Sequence, residues 1–253
     1  MLEQKFDRVP WTTRQTFLGI SLTLVPWLAF SIGLASLGAS SSSHPVKLAP
    51  QVDLINAIIT LIFSALVEGA FLIAPFYFAR KAARSSEMPR RSAFSLLGFR
   101  SFNWATALTL IVLFFVSILF INVLYQDIIN VLHLHLQTND QVLIDRSKLA
   151  PLTTYATLLA SVVIAPFCEE VFFRSFVFMG LLRDMSLIWA TVFSALIFGV
   201  AHADPASFAV LFCIGLMLAF VRWRTHSIWP GMLLHALNNG VGAVLIILAM
   251  NGH

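Results

Sequence analysis

Charged side chains are scarce in this 253-residue chain: Asp, Glu, Lys and Arg make up 11% of it, and hydrophobic residues make up 58%. Soluble domains carry about 25% charged residues. The deficit excludes a soluble globular protein, a disordered chain and a nucleic-acid-binding protein. The net charge of +4 is typical of the cytoplasmic loops of a membrane protein and does not indicate a nucleic-acid partner.

Cysteine is also scarce, and the two in the chain, Cys168 and Cys213, both lie within apolar runs. They form neither a metal-binding CxxC pair nor a disulfide framework, so the redox compartment stays undetermined. The HExxH motif is missing from the sequence as well. Its absence excludes an ordinary zincin-type protease.

Long hydrophobic runs, by contrast, recur along the whole chain. A membrane-spanning helix needs about 20 mostly apolar residues. The runs predict an all-α polytopic membrane protein with about seven transmembrane helices, or eight if the stretch from Trp104 to Leu136 splits. The fifth and sixth runs are short and indicate tilted, broken or partly re-entrant helices. The seven are Thr16–Leu37, Leu54–Phe78, Trp104–Tyr125, Thr153–Leu182, Leu187–His202, Ala206–Val221 and Ile228–Met250.

The first run resembles a signal peptide in being followed by the Ser-rich segment Ala39–Ser43. Its apolar stretch is longer than the usual 7–15 residues of a signal peptide, which favours an uncleaved first helix.

Positive charges are distributed unevenly over the loops that these spans define. The loops on one side hold thirteen Lys and Arg residues, and those on the other hold Lys47, Arg146 and Lys148. Because cytoplasmic loops carry the excess of Lys and Arg, we expect an integral protein of the bacterial inner membrane with a cytoplasmic N-terminus. The thirteen are Lys5, Arg8, Arg14, Arg80, Lys81, Arg84, Arg90, Arg91, Arg100, Arg174, Arg183, Arg222 and Arg224.

Ionisable and amide side chains inside the spans are the informative residues, since a charged group at the bilayer centre costs about 2.5–3.5 kcal/mol or more. Glu68 of the second span has no evident partner and is expected to be hydrogen-bonded or protonated in a structural role. The other members all lie in the last four spans: Glu169, Glu170, Arg174, His202, His235, Asn238 and Asn239.

Helical spacing separates the roles of the two adjacent glutamates. Glu170 and Arg174 are at positions i and i+4, which predicts an ion pair on one helix face. Glu169 points about 100° away from Glu170 and is left to face another helix. The same i,i+4 spacing relates His235 to Asn239, and it relates Phe198 to His202 so that the phenyl ring walls the space around the imidazole.

Depth in the membrane indicates that these groups meet. With ~1.5 Å of rise per residue, Glu169 lies ~21 Å and His202 ~24 Å from the turn between spans four and five, and His235 lies ~15 Å and Asn239 ~21 Å from the start of span seven on the same side. We therefore expect one polar cluster deep in the protein.

Two prolines flank the cluster. Pro166 is expected to kink span four, and Asp204 with Pro205 predicts an N-cap that starts span six directly after His202.

A carboxylate beside histidines in a dry pocket can activate water for peptide hydrolysis, with His and Asn as donors to the oxyanion. Glu169, His202 and His235 would equally suit a catalytic zinc ion, whose fourth position holds water. The residues alone leave both chemistries open.

The ordered set of motifs Glu169-Glu170-xxx-Arg174, Phe198-xxx-His202 and His235-xxx-Asn239 resembles the CPBP family, the type II CAAX prenyl proteases together with the bacteriocin-processing or Abi proteins. Ser175 departs from the glycine frequent after the arginine. The resemblance covers roughly Leu152–Met250. It divides the chain into a cytoplasmic segment (1–15), N-terminal transmembrane helices and loops (16–151) and a catalytic core (152–250).

The resemblance implies an intramembrane endopeptidase that acts on a peptide or protein substrate at the lipid bilayer, either a prenylated substrate or a leader peptide. It implies Glu169 as general base, His202 as the residue that orients the water, and His235 and Asn239 as oxyanion donors. Glu170, Arg174 and Phe198 would support the site. Catalysis without a cofactor is favoured, and the zinc-dependent form with Glu169, His202 and His235 as ligands is the alternative.

Two functions from other classes also fit the composition. An ion or proton transporter could use Glu68, Glu169 and His202 as a relay, although the sequence shows neither an inverted repeat nor paired broken helices. A non-proteolytic bacteriocin-immunity protein is the other, and it would protect cells even with Glu169→Ala.

Overall fold

A computed structural model describes residues 9–40, 47–84, 92–134 and 136–252 of the chain. Within these residues the regular secondary structure is helical, and there is no β-strand. We number the helices α1 to α10. Their bounds are α1 Thr13–Ser40, α2 Pro50–Ala70, α3 Ile73–Ala83, α4 Ala93–Leu96, α5 Trp104–Val131, α6 Asn139–Ser147, α7 Pro151–Leu182, α8 Leu187–Ala201, α9 Phe208–Thr225 and α10 Trp229–Met250.

The all-α membrane architecture expected from the sequence is confirmed. Six of the described helices, α1, α2, α5, α7, α9 and α10, are long and apolar enough to cross a membrane, and α8 is a shorter apolar helix of 15 residues. The stretch from Trp104 to Val131 is one continuous helix, so it does not split into two spans.

The second span predicted over Leu54–Phe78 is wrong in one respect, because the chain breaks there between α2 and α3. Phe71 and Leu72 form a tight turn in which their N–H groups donate to the carbonyls of Glu68 and Gly69, each at 3.0 Å. Pro75 lies in the first turn of α3 and has no N–H to give to the carbonyl of Phe71. A continuous helix would therefore lack a hydrogen bond at this point.

The helix α7 contains two π-helical segments, Ala160–Ile164 and Glu170–Phe178, where a simple proline kink was predicted. In such a segment each N–H donates to the carbonyl five residues earlier, which widens the helix and is frequent at functional sites. Side chains from outside α7 bind two carbonyls of the second segment. Trp11 Nε1, just before α1, donates to Phe176 O at 3.3 Å, and Ser194 Oγ of α8 donates to Phe173 O at 3.4 Å.

Two arginines, Arg183 and Arg222, pack against the backbone at one end of the bundle, which we call the basic end. Arg183 at the end of α7 donates from Nη1 to the backbone carbonyls of Val9, Pro10 and Trp11, just before α1. Arg222 of α9 lies against Gly98, whose φ of +85° is a left-handed backbone conformation that favours glycine. Arg174 departs from the predicted grouping, because it is buried beside Glu170 in α7 instead of lying in a loop. Lys5, Arg8, Arg90 and Arg91 of that grouping lie outside the described residues.

The opposite end is closed by contacts between loops and helix starts. Asp53 of α2 is 2% exposed and accepts hydrogen bonds from the backbone N–H groups of Leu152 and Thr153 at 2.8 and 3.0 Å. The carboxylate therefore caps α7 from a neighbouring helix. Asp204 accepts from the backbone N–H of Asn139 at 3.0 Å and joins α6 to the loop after α8.

The main hydrophobic core surrounds the second half of α7 and crosses the boundary between the two membrane parts predicted at residue 151. Its fully buried side chains include Phe172, Phe176 and Phe178 of α7. Phe71 of the α2–α3 turn is 5.2 Å from Phe172 between ring centroids. Trp11 is 1% exposed, so the described end of the N-terminal segment belongs to the core.

Candidate active site

The carboxylate of Glu169 lies between two imidazoles from different helices. Its Oε2 is 3.8 Å from Nε2 of His202 at the end of α8 and 3.9 Å from Nε2 of His235 in α10. The side chain of Glu169 is 12% exposed, that of His202 26% and that of His235 4%. The convergence expected from the depth arithmetic is therefore present for these three residues.

His202 directly follows the last residue of α8, where the helix ends. Its Nδ1 is 2.8 Å from the carbonyl oxygen of Phe198. Because a carbonyl only accepts, Nδ1 carries the hydrogen and Nε2 faces Glu169. Ala203 then has a φ of +50°, which turns the chain away from the helix axis.

His235 contacts both glutamates of the pair, which the sequence did not predict. Its Nδ1 lies 3.3 Å from Oε1 of Glu170, while Nε2 faces Glu169. Glu170 is fully buried, and its Oε2 lies where a Cβ atom on Gly231 would come within 2.8 Å. Glu170 thus fixes the ring orientation of His235 in addition to its predicted role.

The predicted pair of Glu170 and Arg174 is confirmed, with Nε of Arg174 3.3 Å from Oε1 of Glu170. Arg174 is 1% exposed, and its guanidinium carbon lies 4.1 Å from the ring centroid of Phe198. A cation over an aromatic face is attracted to it. Phe198 in turn contacts the rings of His202 and His235, with centroids 4.5 and 5.9 Å away, and forms the wall that its spacing predicted.

Asn239 lies one turn beyond His235 in α10 and is joined to α7. Its Nδ2 donates to the backbone carbonyl of Ser161 at 2.8 Å. In this π-helical segment Ala165 N–H donates to Ala160 O, so the next donor in the series, to Ser161 O, would be residue 166. Residue 166 is Pro166, which has no N–H. Asn239 therefore satisfies the carbonyl that the proline leaves without its chain partner.

Glu68 lies near the end of α2, close enough to Glu169 and Cys168 for electrostatic interaction. Its Oε2 is buried and has no hydrogen-bond partner among the described residues. The sequence offered no partner for Glu68, because its helix is more than 80 residues away from Glu169 in the chain. It brings a third carboxylate to the edge of the site.

The start of the sixth span differs from its prediction. Asp204 does act as a capping residue, since Oδ1 accepts from the backbone N–H of Ser207 at 3.1 Å. Pro205 however lies in a turn, and α9 begins only at Phe208. Asp204 also receives the N–H of Asn139, so the loop serves as a contact between helices.

The zinc alternative names Glu169, His202 and His235 as ligands. Across the four described ranges, no group of three or more His, Cys, Asp or Glu side chains has an arrangement that could hold a metal ion. The zinc alternative stays a prediction, and we derive no step from a metal.

Comparison with known proteins supports the resemblance seen in the motifs. Residues 151–241 match the family described as type II CAAX prenyl endopeptidase Rce1-like. This range holds every residue of the three motifs. The predicted resemblance to the CPBP family is thus confirmed for this part of the chain.

A relative from Bacillus subtilis (strain 168), described as "Putative membrane peptidase YdiL", is 30% identical over 101 residues. The match covers 40% of this chain and 40% of the relative. No solved structure matches the chain.

Proposed function

We propose that this chain, similar over residues 151–241 to the type II CAAX prenyl endopeptidases, is an intramembrane endopeptidase in which Glu169 activates the attacking water. One observation carries the proposal: Oε2 of Glu169 lies 3.8 and 3.9 Å from the Nε2 atoms of His202 and His235. Its partner would be a peptide at the membrane, as the name of the Bacillus subtilis relative also suggests.

The distances suit a water molecule shared by the three side chains. A direct hydrogen bond between heavy atoms spans about 2.7–3.2 Å, so Glu169 does not bind either imidazole directly. A single water can hydrogen-bond to the carboxylate and to an imidazole at the same time. Such a water would be held by Glu169 and oriented by His202, whose ring is fixed by the carbonyl of Phe198.

The proposed chemistry balances without a cofactor. Glu169 takes a proton from water while the water oxygen bonds to the substrate carbonyl carbon. When the tetrahedral intermediate collapses, the C–N bond breaks and the proton on Glu169 passes to the leaving amine. The carboxylate is then regenerated.

The oxyanion is assigned to His235 and Asn239. Nδ1 of His235 donates to Glu170, so Nε2 carries a hydrogen for the oxyanion only in the doubly protonated ring. The carboxylates of Glu169 and Glu170 face this ring from two sides. Asn239 gives one amide hydrogen to Ser161, and the proposal assigns its second hydrogen to the oxyanion.

Replacing Glu169 tests the proposal directly. Glu169→Gln keeps the shape and the hydrogen-bonding capacity of the side chain but removes the proton acceptor. We expect the variant to purify and unfold like wild type and to show no cleavage of a membrane-associated peptide library in proteoliposomes, measured by mass spectrometry. Cleavage at the wild-type rate would contradict the assignment of the base.

Metal dependence has its own test, because the zinc alternative predicts a different response. We expect the wild-type enzyme to keep its activity after treatment with a chelator, in an assay where detergent effects are controlled with a metal-free peptidase. Stoichiometric zinc whose removal stops cleavage and whose return restores it would establish a metalloprotease instead.

The location follows the same proposal. Clustering of basic residues at one end of the bundle favours a cytoplasmic N-terminus in the bacterial inner membrane. The active site then lies within the membrane, between the basic end and the end closed by Asp53.

A further inference from the structure

The first helix makes one polar contact next to the candidate active site. Nε1 of Trp27 in α1 donates to the backbone carbonyl of Ala201 at 2.7 Å. Ala201 is the last residue of α8, and His202 follows it. A helix outside the family match at residues 151–241 therefore reaches the residue beside a proposed catalytic histidine.

The carbonyl of Ala201 needs a donor from elsewhere. The last carbonyls of a helix lack an N–H partner within it, and the chain turns at Ala203, whose φ is +50°. The residue four positions after Ala201 is Pro205, which has no N–H. The indole N–H supplies a hydrogen bond that this stretch of chain does not provide.

The contact bears on the geometry of His202. The backbone of Ala201 sets the position of His202 Cα, and the hydrogen bond to the carbonyl of Phe198 sets the orientation of the imidazole ring. Nε2 of His202 is 3.8 Å from Glu169, so a small movement of the helix end changes whether one water contacts both groups. Loss of the indole N–H would leave a carbonyl unsatisfied beside the site and free the helix end to move.

Trp27 is itself held in place from two directions. Its ring lies 6.3 Å from that of Phe71 in an edge-on arrangement, at the wall of an apolar cavity of about 590 Å³ between α1 and the α2–α3 turn. The start of α1 is fixed at the basic end by Arg183, which binds the carbonyls of Val9, Pro10 and Trp11. These contacts set the height of Trp27 along α8.

We propose that Trp27 is a positioning residue for His202, so that α1 is part of the catalytic apparatus. The expected change in kcat rests on the proposed endopeptidase function. The expected change in the position of His202 rests on the geometry alone. Trp27 acts through the end of α8 and does not touch the substrate.

Two substitutions of Trp27 test the contribution of its N–H donor and that of its aromatic ring separately. Trp27→Phe keeps an aromatic ring against Phe71 but removes the donor. Trp27→Gln removes the ring but keeps an N–H donor at a similar distance from the backbone. Trp189→Phe is the matched control, because Trp189 lies on α8 itself with 58% of its surface exposed.

The readouts are kcat and KM for peptide cleavage together with the NMR signals of ¹³Cε1-labelled histidines, with the His202 signal assigned by its loss in His202→Gln. We expect Trp27→Phe to lower kcat about tenfold, to leave KM within a factor of about two, and to shift the His202 signal without moving that of His235. Trp27→Gln should retain more activity than Trp27→Phe and a wild-type His202 signal. Trp189→Phe should match wild type in all three.

The proposal is overturned if Trp27→Phe leaves both kcat and the His202 signal unchanged, or if both Trp27 variants lose activity equally with an unmoved signal. Should the wild type cleave no peptide, the endopeptidase assignment fails, and the His202 signal still decides the positioning role. If Trp27→Phe fails to fold, Trp27→Gln alone decides: a wild-type His202 signal supports the proposal, and a shifted one opposes it.

Discussion

His235 is the residue on which the two glutamates meet. Its two ring nitrogens face different carboxylates, Nδ1 toward Glu170 at 3.3 Å and Nε2 toward Glu169 at 3.9 Å. Glu170 also pairs with Arg174, so the orientation of His235 depends on a buried ion pair that is itself stacked on Phe198. A support residue and a proposed catalytic residue are therefore in direct contact, and the hydrogen bond at one ring nitrogen of a histidine determines the role of the other.

Glu170→Gln should reduce stability more than Glu169→Gln does. Arg174 would remain charged and buried without the carboxylate of its ion pair, and breaking a buried pair by removing one member costs about 3–5 kcal/mol. The check is the thermal midpoint of unfolding in detergent, compared for wild type, Glu169→Gln and Glu170→Gln.

Cleavage by the surviving Glu170→Gln protein should be reduced, since His235 loses the carboxylate that its Nδ1 contacts, but it should remain measurable. The opposite result, a wild-type midpoint with abolished cleavage, would mean that Glu170 is the base and that the two glutamates have exchanged roles.

At the scale of elements, two backbone carbonyls beside the site lack a donor from their own stretch of chain. Pro166 has no N–H for the carbonyl of Ser161 in the π-helical part of α7, and the carbonyl of Ala201 lies at the end of α8, where the helix supplies no further N–H. Side chains from other helices bind both carbonyls, Asn239 at 2.8 Å and Trp27 at 2.7 Å. Helix packing at the site is thus specified by hydrogen bonds that regular helices would not need.

Asn239→Ala should both destabilise the protein and slow the reaction. Loss of the half-buried bond to Ser161 should cost about 0.5–1.5 kcal/mol, and loss of an oxyanion donor costs about 10²–10³ in rate. We expect a lower unfolding midpoint and a trace of cleavage activity.

Adding Pro166→Ala separates the two roles of Asn239. The restored N–H at position 166 can bind the freed carbonyl, so the double variant should regain stability relative to Asn239→Ala. Its rate should stay low if Asn239 also contacts the oxyanion. No recovery of the midpoint would show that the bond to Ser161 contributes little.

At the scale of the whole molecule, the bundle is closed at both ends by contacts between distant parts of the chain. Arg183 ties the start of α1 to the end of α7 at the basic end, and Asp53 ties α2 to the start of α7 at the other. The site lies between these two ties, with α7 as the helix common to both. The N-terminal helices therefore support the region that matches the family.

Asp53→Ala should lower the unfolding midpoint while leaving the turnover of the folded enzyme near the wild-type value. The change removes a helix cap, typically about 0.5–2 kcal/mol, at the end of the bundle remote from Glu169. Asp145→Ala serves as control, because Asp145 is exposed on α6 at the same end. A large fall in kcat with an unchanged midpoint would place Asp53 in the catalytic apparatus, against this interpretation.

The sequence by itself determined the features that depend on local periodicity. Hydrophobic run length predicted the membrane helices, i,i+4 spacing predicted the pair of Glu170 and Arg174, and the rise per residue predicted that Glu169, His202 and His235 meet. These predictions succeed because a short turn between two membrane helices fixes the depth of each residue along them.

Only the tertiary structure decided the contacts that depend on how helices face one another. The bond of Glu170 to His235 joins residues 65 apart, that of Asn239 to Ser161 joins residues 78 apart, and that of Trp27 to Ala201 joins residues 174 apart. The break at Phe71 and the π-helical segments of α7 also became visible only there. Periodicity fixes which face a residue occupies, but the rotation and tilt of each helix, set by packing of the whole core, determine which carbonyl or carboxylate that face meets.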